Sequence, residues 1–89
     1  MSSKLQIEFE KAVEWIRNAP PSSTPVTNDV RLQFYGLFKQ ATKGNVTGER
    51  PGLLRFRDRA KYDAWAAFHG IHPKDAAEKY IVLVNTYRK

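Results

Sequence analysis

Cysteine is missing from all 89 residues. That excludes a disulfide framework, a thiolate metal site and a cysteine nucleophile, and it fits a reducing compartment. Long apolar runs are missing too. The longest, Ala64–Phe68 and Tyr80–Val84, fall far short of the roughly 20 residues that cross a bilayer. No apolar signal-peptide core follows Met1-Ser-Ser-Lys4, and no lipidation motif is present. The expectation is a free-standing cytoplasmic chain with no stable membrane insertion. Serine occurs only at positions 2, 3, 22 and 23, none of them in a G-x-S-x-G context. No glycine-rich phosphate loop follows a strand. His69 and His72 have H-x-x-H spacing, but Gly70 and Pro73 break any helix there and no acidic third ligand stands nearby. The sequence therefore predicts no enzyme, no metal site and no cofactor.

The chain does contain enough apolar side chain for a core. Hydrophobic residues make up 42% of it, and its length suits one domain, residues 1–89, of modest stability. Fifteen Lys and Arg against nine Asp and Glu give a formal charge of +6. That balance favours an anionic partner: nucleic acid, an acidic membrane surface or a phosphorylated small molecule. Arg50, Arg55, Arg57, Arg59 and Lys61 lie close together, with Glu49 and Asp58 beside them.

Four helices are legible. In the first, about 4–18, Leu5, Phe9, Ala12, Val13 and Ile16 recur at helical spacing, and Pro20 and Pro21 stop it. The run from Ala19 to Val26 is a loop by composition. Thr27 or Asn28 caps a second helix over 29–43, and Gly44 suits its end. A long loop with Gly48, Pro51 and Gly52 follows, from which Leu53, Leu54 and Phe56 should tuck into the core. A third helix spans about 58–68, and Pro73 opens a fourth. Tyr80–Val84 looks like a strand in isolation. Ala77, Tyr80, Val84 and Tyr87 recur at helical spacing, however, and no second strand exists to pair with it.

The second helix has one face too many. Val30, Phe34, Leu37 and Ala41 form the stripe that packs it. Arg31, Leu32, Tyr35, Phe38, Lys39 and Thr42 form another that mixes aromatics with cations. Tyr35, Phe38 and Lys39 fall within about a third of a turn of one another in angle. Aromatic faces stack on a nucleobase, worth roughly 1–3 kcal/mol each, and an ammonium suits a phosphate. Spacing alone equally allows the aromatics to be core and the lysine to be solvated. It does not say whether Lys61 and Tyr80, on other helices, join this face.

The segments Tyr35-Gly-Leu-Phe-Lys-Gln-Ala-Thr-Lys-Gly-Asn45, Arg50-Pro-Gly52, Ala60-Lys-Tyr-Asp-Ala-Trp65 and Asp75-Ala-Ala-Glu-Lys-Tyr80 together resemble the acyl-CoA-binding protein family in order and in gaps. The resemblance runs from Phe9 to about Val84. It implies an all-α, four-helix bundle, probably the plainest of folds for its length being set aside, that holds one medium- to long-chain acyl-CoA in a surface bowl. It implies that Tyr35, Lys39 and Lys61 meet the ribose 3′-phosphate, that Phe38 lies against adenine, and that Tyr80 contacts the head group by hydrogen bond and edge. Arg17, late in the first helix, adds a charge, and Leu32 lines the acyl chain. The implied protein is a monomeric carrier and pool former with no nucleic-acid partner. Each buried methylene contributes roughly 0.8 kcal/mol, so eight more carbons add on the order of 6 kcal/mol if fully buried.

Three departures from the family pattern stand out. Phe38 replaces the usual tyrosine and gives up a hydroxyl worth about 0.5–1.5 kcal/mol if bonded. Tyr62 replaces the usual tryptophan. The loop over 20–28 is longer than in the shortest members, at the rim of the expected bowl. Two other functions compete. A basic nucleic-acid-binding helical domain would use the 50–61 cluster, although that cluster lies in a loop and a short helix and supplies no recognition helix. A membrane-surface or partner-protein adaptor is the other.

Overall fold

The computed structural model describes residues 3–18 and 27–88. They form four helices: α1 (Ser3–Asn18), α2 (Asn28–Lys43), α3 (Phe56–Ala66) and α4 (Pro73–Tyr87). The expected stop at Pro20 and Pro21, and all of the 20–28 loop except Thr27 and Asn28, lie outside the described residues.

Local chemistry sets the ends. Thr27, in extended conformation, accepts a hydrogen bond at Oγ1 from the Val30 N–H at 3.2 Å and so caps α2, with Asp29 in the first turn. Gly44 closes α2 at φ 79°, where a Cβ would be strained, and its N–H donates to the Gln40 carbonyl. Pro73 opens α4, and the His72 Nδ1 accepts from the Lys74 N–H at 3.1 Å. His72 is thus a cap, and no cluster of metal-ligating side chains occurs among the described residues.

α3 begins and ends two residues earlier than its composition suggested. The Arg55 N–H bonds to the Gly52 carbonyl to make a turn, and the Arg59 N–H bonds to the Arg55 carbonyl, so Phe56 is already helical. At the far end the Phe68 and His69 N–H groups bond to the carbonyls of Trp65 and Ala66, which tightens the chain into a turn.

α2 packs against both α3 and α4, and α1 packs against α4. The core is the meeting of the expected stripes: Phe9 and Ala12 of α1, Phe34, Leu37 and Ala41 of α2, and Ala76, Ala77, Tyr80 and Val84 of α4. Leu53, Leu54 and Phe56 do not tuck in. They are 77%, 96% and 71% exposed, because the Gly52–Arg55 turn holds them at the edge while helical side chains fill the interior.

Polar side chains fasten the loops. Arg50 makes a forked ion pair with Asp63, 2.8 Å at Nε and 2.7 Å at Nη2, which holds the Asp63 carboxyl below its ordinary range. The Tyr62 hydroxyl donates to the Gly48 carbonyl and the Trp65 Nε1 to the Gly44 carbonyl, so α3 carries the loop that follows α2. Gln40, 1% exposed, donates to the Ile71 carbonyl at 2.7 Å and to the Asn45 Oδ1 at 3.0 Å. Asn45 in turn accepts from the Gly70 N–H. Gln40 thus ties α2 to the α3–α4 connection, a role that its place in the Lys39–Thr42 segment does not announce.

Candidate functional site

Helical spacing brings Tyr35 and Lys39 one turn apart on the side of α2 away from the core. α3 crosses beside them, and its Lys61 and Trp65 are likewise one turn apart. The result is a cluster built from two helices. The Lys39 Nζ lies 6.0 Å from the centroid of the Tyr35 ring and 4.9 Å from that of Trp65. The Lys61 Nζ lies 5.6 Å from the Tyr35 centroid. One phenol ring therefore serves two ammonium groups. Neither lysine has a carboxylate partner among the described residues. Two like charges sharing one ring repel each other, and an anion between them relieves that repulsion.

Two grooves adjoin this side of α2. Between α2 and α3, a groove of about 380 Å³ is lined by Leu32, Ala60, Ala64 and Phe68, with Asp29 and Asp63 among the polar residues at its sides. Leu32 lies one turn before Tyr35, so the apolar groove continues along the helix from the lysine cluster. Between α1 and α2, a groove of about 540 Å³ brings Arg17 together with Phe9, Val13, Phe38 and Thr42. Phe38 is half-buried and stacks on Phe9, with centroids 6.1 Å apart and planes at 18°.

Tyr80 is placed differently from a surface contact. Its residue is 3% exposed, and its ring packs edge-on against Phe9 at 5.2 Å and Phe34 at 5.3 Å. The ring edge is therefore used up inside the core. Only the hydroxyl end, within electrostatic reach of Arg17, is left for a ligand. Burial pushes this phenol up from 10.0 to about 12, and the Arg17 charge partly opposes the rise. The fold thus favours the neutral phenol. The stability that follows is intact below pH 10 and is lost as the pH rises from 10 towards 12. The Tyr80→Phe variant should lack this alkaline loss. Urea melts of both proteins on either side of pH 10 check it, and parallel curves would contradict it.

Of the seven residues singled out in the sequence, Tyr35, Lys39 and Lys61 converge on one point. Arg17 and Phe38 share the α1–α2 groove, Leu32 lines the α2–α3 groove, and Tyr80 underlies the site from the core. Trp65 was not singled out. The signal was there, because Trp65 follows Lys61 by four residues and so lies above it on the same helical face.

A four-helix fold with cations over an aromatic ring beside an apolar groove is that of a protein that binds a ligand with an anionic head and an apolar tail. The family model "Acyl CoA binding protein" matches residues 6–84. The acyl-CoA-binding protein homolog 3 of Caenorhabditis elegans is 42% identical over 91% of this chain and 71% of its own length. The acyl-CoA-binding protein of Ricinus communis is 42% identical over 90% of this chain and 86% of its own. The crystal structure of Oryza sativa acyl-CoA-binding protein 2 superposes with a TM-score of 0.88, at 40% identity, over 96% of this chain and 89% of that one. The chain belongs to the acyl-CoA-binding protein family. Nothing in these relationships supports the nucleic-acid alternative.

Proposed function

We propose that the chain, as one domain, binds medium- to long-chain fatty-acyl-CoA thioesters and serves as a cytoplasmic, monomeric carrier and pool former for them. It would bind and release the thioester unchanged and would not act as an enzyme. The observation that carries this reading is the Tyr35 ring held between the unpaired ammonium groups of Lys39 and Lys61, next to an apolar groove, in a member of this family.

In this reading Lys39 and Lys61 take the ribose 3′-phosphate, with Tyr35 donating from its hydroxyl. Phe38, one face of which is covered by Phe9, offers the other to adenine. Arg17 and the Tyr80 hydroxyl add contacts to the head group from below. The acyl chain follows the groove past Leu32, where its methylenes leave water. The head group anchors every ligand alike, and the tail discriminates by length.

Calorimetry tests this directly. Palmitoyl-CoA should bind tightly, while free palmitate and free CoA each bind at least a hundredfold more weakly. The argument is that each half leaves the other half's contacts unmade. Palmitate binding as tight as that of the thioester would reject the reading.

A further inference from the structure

The loop that leads into α3 carries apolar side chains that nothing in the fold uses. The Arg55 N–H bonds to the Gly52 carbonyl at 3.0 Å, so Leu53 and Leu54 occupy the two corners of a hydrogen-bonded turn. Leu54 is 96% exposed, Leu53 77%, and Phe56, one residue past the turn, 71%. None of the three lines any of the grooves described above or the larger α2–α4 groove. They form a convex knob.

The knob has a basic collar. Arg50 and Arg55 are paired with Asp63 and Asp58, but Arg57 and Arg59 have no ion pair among the described residues. Arg55, the residue before α3, makes no side-chain cap, so the first N–H groups of the helix keep their positive end open. Apolar corners, arginines and an open helix start all lie within the stretch 53–59.

We propose that this knob docks the protein on an anionic membrane surface, with Leu53 and Leu54 entering the headgroup region and Arg57 and Arg59 meeting lipid phosphates. Shape and charge select this partner. A convex apolar knob enters a fluid interface without a matching pocket, which a protein partner would have to provide. A nucleic acid offers arginines their phosphates but nothing to paired leucines. The geometry also gives docking a consequence. Lys61 follows Phe56 by five residues, a rise of about 7–8 Å along α3. Docking therefore sets the Tyr35–Lys61 cluster close to the lipid surface, where an amphiphile with an acyl tail partitions.

The test is co-sedimentation of the full chain with vesicles, without acyl-CoA. The chain should bind phosphatidylcholine vesicles that carry phosphatidylserine and should ignore pure phosphatidylcholine. The Leu53→Ser/Leu54→Ser variant should bind the anionic vesicles at least tenfold more weakly. In solution it should retain the helical spectrum and the palmitoyl-CoA affinity of the native chain. Arg57→Gln/Arg59→Gln should lower binding roughly 25-fold, about fivefold for each basic side chain at an acidic surface. No binding of the native chain to anionic vesicles overturns the proposal, as does unchanged binding by the leucine variant. Displacement from vesicles by a DNA duplex that also binds the leucine variant undiminished would assign the arginines to nucleic acid and overturn it too. Because the vesicle arm contains no acyl-CoA, its failure is distinguishable from failure of the carrier function.

Discussion

Replacing Lys39 and Lys61 together by alanine should weaken palmitoyl-CoA binding by two to four orders of magnitude. Each ammonium would make a charge-assisted contact to phosphate, and such contacts are worth roughly 1.5–3 kcal/mol. Two of them come to about 3–6 kcal/mol, and each 1.4 kcal/mol is a factor of ten. The effects should not add. Both lysines address the Tyr35 ring, and both would address one anion, so each single variant should lose more than half of the double variant's loss in free energy. The unliganded protein should not suffer. Neither lysine has a carboxylate partner among the described residues, and removing one relieves its repulsion with the other. Calorimetry beside a thermal melt separates the two effects: affinity collapses while Tm holds or rises slightly. Loss of less than tenfold in the double variant would move the phosphate elsewhere. Native affinity should also fall with added salt, since screening shortens the reach of both charges.

The parts of this fold that were legible in the sequence are those that a single helix decides. Val30, Phe34, Leu37 and Ala41 share a face whatever α2 packs against, and that face is the core. Thr27, Gly44 and Pro73 act within a few residues of themselves, and each marks the expected helix end. Tyr80–Val84 is helical because the positions around it repeat at helical spacing, although its composition suits a strand.

What was not legible depends on which elements meet. Gln40 is polar and sits at the end of an amphipathic helix, so its 1% exposure and its grip on the Ile71 carbonyl follow only once the α3–α4 connection lies against it. Leu53, Leu54 and Phe56 are core-like by composition, and their exposure follows from a turn at the edge of the fold. For the site, spacing placed Tyr35 beside Lys39 but was silent on Lys61. The convergence needs the crossing of α2 and α3, and family resemblance supplied it before the geometry did. Resemblance also placed Tyr80 against the ligand by its edge, whereas Phe9 and Phe34 occupy that edge.

The crossing of α2 and α3 in turn depends on Gly36, and Gly36→Ala should both destabilise the fold and weaken the site. Alanine ordinarily favours a helix over glycine by roughly 0.5–1 kcal/mol. At this position the sign reverses. A Cβ on Gly36 would collide with the Ala64 carbonyl oxygen, and it would lie 2.8 Å from both the Ala64 carbonyl carbon and the Phe68 Cε2. The phenyl ring can turn aside, but the Ala64 backbone cannot without moving α3. Overpacking of this kind costs roughly 1–3 kcal/mol and occasionally more. Contact with rigid backbone puts the net loss near the upper end, about 2–3 kcal/mol. For a chain of this size that lowers Tm by roughly 10–20 °C. The displacement has a second effect, because α3 carries Lys61 and Trp65 while α2 carries Tyr35 and Lys39. Moving the helices apart separates the cations from the ring they share, so the still-folded variant should bind palmitoyl-CoA about tenfold more weakly, on the order of 1.4 kcal/mol. Melting followed by circular dichroism, and calorimetry well below the new Tm, read the two losses separately. A rise in Tm would mean that α2 and α3 do not approach this closely. A lowered Tm with full affinity would mean that the lysines find the ligand without the helix crossing that aligns them.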